Sequence, residues 1–255
     1  MQRRTARSLS TTMVWTTRVL TVLGAASLLL SACSRQEPST PSMSANEPAA
    51  AAAKAPAAPA TTDAPAGAYT LDKAHASLLF RVDHLGFSMY TARFKQFDAK
   101  LQFDPANIPA SSVHVTIDPA SIETDFPDPA THDFNAQLRS EQWLDAARHP
   151  QMTFRSKNVE MTSPNAMRVH GELTLRGITR PMTLDATFNG GYAGHPLDPN
   201  ARIGFSARGA LNRSEFGMGF GVPEPGSKFG VGDKVEVVIE AEFNGPPQAT
   251  PQKQS

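Results

Sequence analysis

Residues 167–188 read MRVHGELTLRGITRPMTLDATF, and this stretch decides the fold class. From Met167 to Leu175, apolar or small side chains fall at every second position, with charged or polar side chains between them. The same alternation resumes from Met182 to Phe188, after a short break that contains Gly177. Because successive side chains of a β-strand point to opposite faces, this pattern predicts two half-buried antiparallel strands joined by a tight turn.

The alternation recurs along most of the chain after residue 69. Six further segments show it: Leu78–His84, Phe97–Phe103, Val113–Ile117, Met152–Phe154, Ile203–Ala207 and Val235–Phe243. Turn signals such as Asp104-Pro105 and Asn189-Gly190-Gly191 separate the segments. About eight strands of this kind predict an all-β fold, either an antiparallel barrel or a sandwich. Alternation alone leaves open whether the interior is filled by side chains or hollow.

One segment has helical rather than strand spacing. Across Asp133–Ala147, Phe134 and Leu138 are four residues apart, and Ser140 is a typical helix N-cap before a second short helix. His149-Pro150 then ends the helical run, because proline disfavours helical geometry in the residue before it. The sequence therefore predicts a short helical insertion between strands.

The first 32 residues have the composition of an export signal. They contain four arginines and no acidic residue, and the apolar run Val19–Leu30 is too short to span a bilayer. The run ends in Leu30-Ser31-Ala32-Cys33, which holds the single cysteine of the chain. This resembles the lipobox of bacterial lipoproteins, which implies cleavage before Cys33 and acylation of its thiol. The alternative is an ordinary secretory signal that is cut nearby.

The composition also predicts how the chain is divided. Residues 33–68 and 244–255 are rich in Ala, Pro, Ser, Thr and Gln and have almost no bulky apolar side chains, so they cannot form a core. The predicted organisation is a lipoprotein signal peptide at 1–32, a lipidated cysteine with a disordered tether at 33–68, one barrel domain at 69–243 and a disordered tail at 244–255.

Charge and sorting signals bear on partners and location. The chain has 24 basic and 24 acidic residues, and removing the leader with its four arginines leaves 20 against 24, a net charge of −4. A mildly acidic chain without a basic stripe gives no reason to expect nucleic acid as a partner. Ser34 follows Cys33, and a residue other than Asp at that position favours the outer membrane in the best-known sorting rule. We therefore expect a periplasm-facing lipoprotein of the bacterial cell envelope, anchored in the outer membrane through acylated Cys33.

Six motifs follow one another along the chain: Tyr69-Thr-Leu-Asp-Lys-Ala-His75-Ala-Ser77, Phe80-x-Val82-x-His84-Leu-Gly-Phe87, Trp143-Leu-Asp145 with His149-Pro150-Gln-Met-Thr-Phe154, Gly171-Glu-Leu-Thr-Leu-Arg-Gly177-Ile-Thr-Arg-Pro181, Asn212-Arg-Ser-Glu-Phe216-Gly-Met218 and Gly232-Asp233-x-Val235. Together they resemble the YceI-like family of polyisoprenoid-binding proteins. The resemblance implies an up-and-down, eight-stranded, lipocalin-like barrel in the periplasm. It also implies an apolar tunnel for an isoprenoid or quinone-like lipid and no catalytic machinery.

The chain departs from the family pattern in two places. Ala92 and Ala99 stand where the family often has glycine, and Asn135-Ala-Gln-Leu138 stands where it often has Asp-x-His-Leu. If those family residues meet the head of the ligand, the head group bound by this chain differs.

Inward positions of the predicted strands would line such a tunnel. They are Leu78, Phe80, Val82, His84, Phe87, Phe97, Leu101, Phe103, Phe154, Leu173, Leu175, Leu184 and Phe205. The alternative is that these side chains pack against one another in a filled core. His84 and Arg213 are candidates for contact with a lipid head group. Their alternative roles are a core histidine bonded to a carbonyl and an arginine paired with an acid inside the barrel.

Catalysis is not indicated by any motif. The chain has seven histidines but no His-Glu-x-x-His or His-x-His motif, and its one cysteine is assigned to the anchor. It has no Gly-x-Ser-x-Gly motif, and Gly217-x-Gly219-x-Gly221 lacks the flanking strand and helix of a dinucleotide site. We therefore expect no catalytic residue, no metal and no cofactor other than a bound isoprenoid lipid.

The expected function is to bind, shield or carry a long apolar lipid in the periplasm. The alternative is a non-catalytic interaction or stress-response module with a packed barrel and no transported ligand. Phe216, Met218 and Phe220 would give such a module an exposed apolar patch at the barrel mouth, unless Met218 and Phe220 close the barrel end instead. The sequence is compatible with a homodimer without requiring one.

Overall fold

The structure is a computed structural model and describes residues 62–247. Its strands are β1 (Gly67–His84), β2 (Ser88–Phe94), β3 (Phe97–Phe103), β4 (Ser112–Ile117), β5 (Ile122–Glu123), β6 (Met152–Ser163), β7 (Ala166–Leu175), β8 (Ile178–Tyr192), β9 (Asn200–Asn212) and β10 (Val231–Pro247). The α-helix of this part of the chain, α1, spans Phe134–Arg139. Within residues 62–247, no helix has the length and apolar character needed to cross a membrane.

The sheet closes on itself because β10 pairs with β1. Both β2 and β3 run antiparallel to β1, β3 along its first part and β2 along its last part, so they act as two halves of one bent strand. In the same way, β4 and β5 continue one another beside β3 and β2. Counted in this way, eight antiparallel strands form an up-and-down barrel. The predicted all-β, lipocalin-like barrel with a short helical insertion is confirmed.

The loops fall into two groups at opposite ends of this barrel. The β1–β2 turn, the β7–β8 turn, the β9–β10 loop and the insertion between β5 and β6 lie at one end, which we call the mouth. The β3–β4, β6–β7 and β8–β9 connections lie at the other end, together with the start of β1 and the end of β10. We call this second end the closed end, because aromatic side chains fill it.

Ring packing seals the closed end. Five aromatic rings pack together there, and the centroids of neighbouring rings lie between 5.3 and 6.3 Å apart. They are the rings of Tyr69, Phe103, Phe188, Phe205 and Phe243. Such edge-to-face and tilted contacts add to the free energy gained from apolar burial.

The insertion differs from its predicted form. The helix α1 begins after Asp133, whose side chain accepts a hydrogen bond of 2.8 Å from Ala136 N. Ser140, predicted as an N-cap, ends this helix instead, and turns follow it. The prediction of a second helix is wrong because Asp145 has a positive φ of 49°, which a right-handed helix does not allow.

Strand structure extends past the expected domain limits. β1 begins at Gly67, and the segment before it is tied to the barrel by Tyr69 Oη, which donates to Pro65 O over 2.7 Å, and by Asp63, which accepts from Ala193 N over 2.9 Å. β10 runs to Pro247. The last residues assigned to the tether and the first assigned to the tail are therefore part of the barrel. The predicted signal peptide, Cys33 and the rest of both segments lie outside the described residues.

A charged cluster holds a bulge in β1 on the outer surface. β1 carries extra residues there, since Leu71 pairs with Phe243 but Ala76 pairs with Ala241. Arg202 bonds Asp72 at 2.7 Å and Glu242 at 2.8 Å. Hydrogen bonds from His75 and Arg202 hold the pKa of Asp72 at about 2, below its ordinary value of 3.8.

We expect Asp72→Asn to destabilise the barrel in a pH-dependent way. Because the pKa of Asp72 is lowered by folding, its contribution is present above about pH 4 and is lost as pH falls towards 2. The variant should lower the free energy of unfolding by roughly 1–2 kcal/mol at pH 6 and by almost nothing at pH 2. Urea midpoints between these pH values measure this, with the exposed Asp185→Asn as the control. An offset that is the same at both pH values would contradict it.

Candidate binding cavity

A cavity of about 590 Å³ occupies the barrel interior. Its volume lies within the range of small-molecule sites, about 300–1,000 Å³. Inward side chains such as Phe205, Ala207 and Val237 line it and remain only half-buried, because the space beside them is not filled by protein. The structure therefore answers the question that alternation left open, and the interior is hollow.

Small residues at inward positions make this room. Ala99, Ala186, Ala207 and Ala241 lie in the cavity wall among larger apolar side chains. Gly171 makes room in a different way. A Cβ there would lie 2.5 Å from Cζ of Phe154, so the absence of a side chain at Gly171 leaves space for the Phe154 ring. The shape of the cavity therefore depends on the order of large and small inward residues as well as on their polarity.

Twelve of the thirteen residues predicted to line a tunnel surround this cavity. They are Leu78, Phe80, Val82, His84, Phe97, Leu101, Phe103, Phe154, Leu173, Leu175, Leu184 and Phe205. Phe87 is the exception: it is 84% exposed and lies outside the cavity, contrary to prediction. The reason is the β1–β2 turn, in which Leu85 and Gly86 take positive φ values of 59° and 70° and end the alternation.

The sequence reasoning missed the part of the wall that the insertion supplies. Its members are Phe126, His132, Phe134, Leu138, Trp143 and Leu144. They lie in α1 and in turns, where period-two alternation gives no signal. Tyr90 and Phe94 of β2 were also missed, although their alternation with the buried Ala92 was a usable signal.

Two side chains fasten the insertion over the barrel. Asn135 donates to Glu123 Oε1 of β5 at 3.1 Å and accepts from Thr124 N, directly after β5, at 2.9 Å. Arg176, in the β7–β8 turn, donates to the carbonyl oxygens of Glu141 and Trp143. Asn135 is one of the departures from the family pattern, and it serves here to hold the insertion and does not line the cavity.

Arg213 is buried at the mouth, and backbone carbonyls satisfy its guanidinium. It donates to Gly232 O at 2.8 Å, Val231 O at 2.7 Å, Met218 O at 2.6 Å and Phe220 O at 2.9 Å. These bonds use four of the five N–H donors of an arginine. Burial lowers the pKa of this group, and the charge of Asp233 opposes that shift. Within residues 62–247 its hydrogen-bond partners are carbonyls, and the alternative of an ion pair with an acid inside the barrel is wrong for this part of the chain. Arg213 therefore holds the β9–β10 loop in place.

Few polar groups face the cavity, and several of them lie towards the mouth. His84 is at the mouth end of β1 and is exposed there. The indole ring of Trp143 lies 5.3 Å from the Arg213 guanidinium carbon, and its Nε1 is buried without a hydrogen-bond partner among residues 62–247. An unpaired buried donor is costly, so this N–H is available to an acceptor atom of a ligand.

Within residues 62–247, one group of potential metal ligands occurs, and it lies outside the cavity. Asp72, His75 and Glu242 bring their ligand atoms within 4.8 Å of one another. Arg202 already bonds both carboxylates, so a guanidinium supplies the positive charge of this cluster. We assign the cluster to the β1 bulge described above.

Comparison with known proteins identifies the family. The profile of the YceI-like domain matches residues 69–243. The chain belongs to the YceI-like family. A UPF0312 protein of Vibrio cholerae is 37% identical over 152 residues, which cover 59% of this chain and 77% of that protein. Protein YceI of Escherichia coli O157:H7 is 36% identical over 154 residues, which cover 59% of this chain and 75% of that protein.

Solved structures of two bacterial proteins share this barrel fold. BcnA of Burkholderia cenocepacia superposes with a TM-score of 0.56 at 25% identity, covering 68% of this chain and 98% of that one. The YceI protein of Campylobacter jejuni superposes with a TM-score of 0.53 at 29% identity, covering 64% of this chain and 88% of that one. The resemblance drawn from the six sequence motifs is thereby confirmed.

We expect Arg213→Met to destabilise the unliganded protein by about 2–4 kcal/mol, because four carbonyls, one buried and three partly buried, would lose their donor. The urea midpoint of the lipid-free protein measures this. Arg208→Met, at an exposed position of β9, the strand that precedes Arg213, serves as the control and should change the midpoint little. Equal midpoints for wild type and Arg213→Met would contradict the structural role of Arg213.

Proposed function

We propose that this barrel binds a long apolar lipid of the isoprenoid type and shields it from water. The observation that carries the proposal is the hollow, apolar interior of a barrel whose far end is sealed by aromatic rings. Burying a methylene group is worth about 0.8 kcal/mol, so a long hydrocarbon chain gains much by entering such a space. The resemblance to polyisoprenoid-binding proteins favours a branched isoprenoid chain over a straight one.

The distribution of polar groups supports one orientation of the ligand. The hydrocarbon chain would point towards the ring cluster around Phe103, where the wall is apolar. The head would stay at the mouth, near exposed His84 and the unpaired indole N–H of Trp143. Arg213 has little capacity left for a head group, since carbonyls engage four of its donors.

A binding role fits the site better than catalysis. The polar side chains of the wall include His132, which is hydrogen-bonded to Gln137 at 2.9 Å, and Arg213, which is held by carbonyls. The alternative of a packed barrel that acts only through its surface requires a filled interior, and the cavity argues against it. We therefore favour storage, shielding or carriage of a lipid without chemical change.

Filling the cavity should abolish lipid binding. Ala207 lies in the cavity wall, so Ala207→Phe would place a ring in the space that the lipid needs. We expect bound lipid to fall about tenfold or more, with a stability cost of roughly 1–3 kcal/mol from overpacking. Native mass spectrometry of protein purified without detergent, followed by analysis of an organic extract, measures the bound lipid.

The matched control is Ala210→Phe, which adds the same ring on the exposed side of the same strand and should leave lipid occupancy unchanged. If wild-type protein has an empty cavity and takes up no added polyprenyl lipid, the proposed function is wrong. Equal occupancy in wild type and Ala207→Phe would place the lipid outside the cavity.

We further propose that the barrel works at the periplasmic side of the outer membrane, attached through acylated Cys33. The support is the lipobox-like Leu30-Ser31-Ala32-Cys33, which lies outside the described residues. Cys33→Ser should abolish labelling by an alkyne fatty acid and release the protein from the membrane fraction. A Cys33→Ser protein that is still labelled would locate the acyl chain elsewhere.

A further inference from the structure

Three aromatic side chains are exposed on the loops of the mouth. Phe87 is 84% exposed, Phe229 is 89% exposed and Phe220 is 54% exposed. The patch predicted from the sequence also contained Phe216 and Met218, but these are buried, with 1% and 6% of their surface exposed. Large apolar side chains that are exposed together on one surface indicate a site that contacts an apolar partner or a membrane.

These rings belong to one surface, although they stand on two loops. The β1–β2 turn bonds the β9–β10 loop through Leu85 N and Gly230 O at 2.9 Å. A Cβ on Gly86 would lie 2.9 Å from Cδ of Lys228, so the turn and the lysine are in contact. We call Phe87, Phe220, Lys228 and Phe229 the mouth surface.

The mouth surface is continuous with the cavity wall. The ring of Phe220 packs edge-on against Trp143 at 5.7 Å, and Trp143 lines the cavity. Val231, two residues after Phe229, and His84, three residues before Phe87, also line it. The exposed rings therefore border the cavity at its mouth end.

We propose that the mouth surface inserts into the head-group region of a lipid bilayer, so that a lipid passes between membrane and cavity without crossing water. This rests on the proposed function. Phenylalanine rings at a membrane surface bury into the boundary between head groups and acyl chains, and a lysine beside them keeps its ammonium group among the head groups. We favour a bilayer over a protein partner as the occupant of this surface. A protein segment bound to the same rings would cover the entrance to the cavity, whereas a bilayer would supply the lipid that the cavity binds.

The charge of the β9–β10 loop indicates how this docking would work. Lys228 is offset by Glu224 in the same loop, so the loop has no net positive charge from these two residues. Insertion of the rings, and not electrostatic attraction, would therefore dominate. We expect binding to depend on the rings and to change little with salt.

Vesicle flotation tests this. The protein from Ser34 to Ser255 lacks the acylated cysteine and keeps every strand of the closed barrel. Vesicles of phosphatidylcholine with a minor fraction of phosphatidylglycerol should carry it to the top of a density gradient. The variant Phe87→Ser with Phe229→Ser should lose about tenfold or more in partitioning while keeping its urea midpoint.

Leu197→Ser is the matched control. Leu197 is 92% exposed but lies in the β8–β9 connection at the closed end, so its loss should leave flotation unchanged. Native mass spectrometry of bound lipid in the same proteins keeps the two proposals apart. Flotation that is lost only in the Phe87/Phe229 variant supports docking.

Two results would overturn docking while leaving the proposed function intact. One is wild-type protein that carries lipid but does not float. The other is a Phe87/Phe229 variant that floats like wild type. Docking is also wrong if wild type forms dimers and does not float, while the Phe87/Phe229 variant is monomeric. The rings would then cover a second copy of the chain. An empty cavity in all proteins would count against the proposed function and not against flotation.

Discussion

The pairing of β10 with β1 is the constraint on which the rest of the structure depends. It removes the free edges of the main sheet. It also turns the apolar faces of the eight strands towards a common interior. A barrel of this size has an interior just wide enough to be filled by side chains or by one ligand. The alanines at inward positions, such as Ala186 and Ala207, decide in favour of space.

The two ends of the barrel are built for different purposes. At the closed end, the rings around Phe103 pack on one another and occupy the interior. At the mouth, the backbone is irregular and is held by side-chain hydrogen bonds, above all by those of Arg213 and Asn135. The loops of the mouth can therefore carry exposed aromatic residues without loss of order.

Most of the strands, and twelve of the thirteen wall residues named from the sequence, were predicted correctly, because alternation reports directly which side chains face inward. Phe87 was misplaced because the turn at Leu85-Gly86 shifts the phase, and such a turn depends on backbone geometry that alternation does not record. The wall residues of the insertion, such as Trp143, were missed because turns lack a period. Whether the barrel is hollow depends on the summed volumes of inward side chains across all strands, which no local pattern gives.

The role of Arg213 illustrates a second limit. Its position in a motif suggested a contact with a head group or an acid, yet its partners are carbonyls of residues up to 19 positions away. A backbone carbonyl is present at every residue, so sequence carries no mark of such a partner. Polar residues in loops are for this reason harder to assign than apolar residues in strands.

Both ends of the described chain leave the barrel at its closed end, where Gly67 and Pro247 lie. A fluorescent protein or a coupling group fused to either terminus would therefore leave the entrance unobstructed, which suits the molecule to immobilisation with its opening outward.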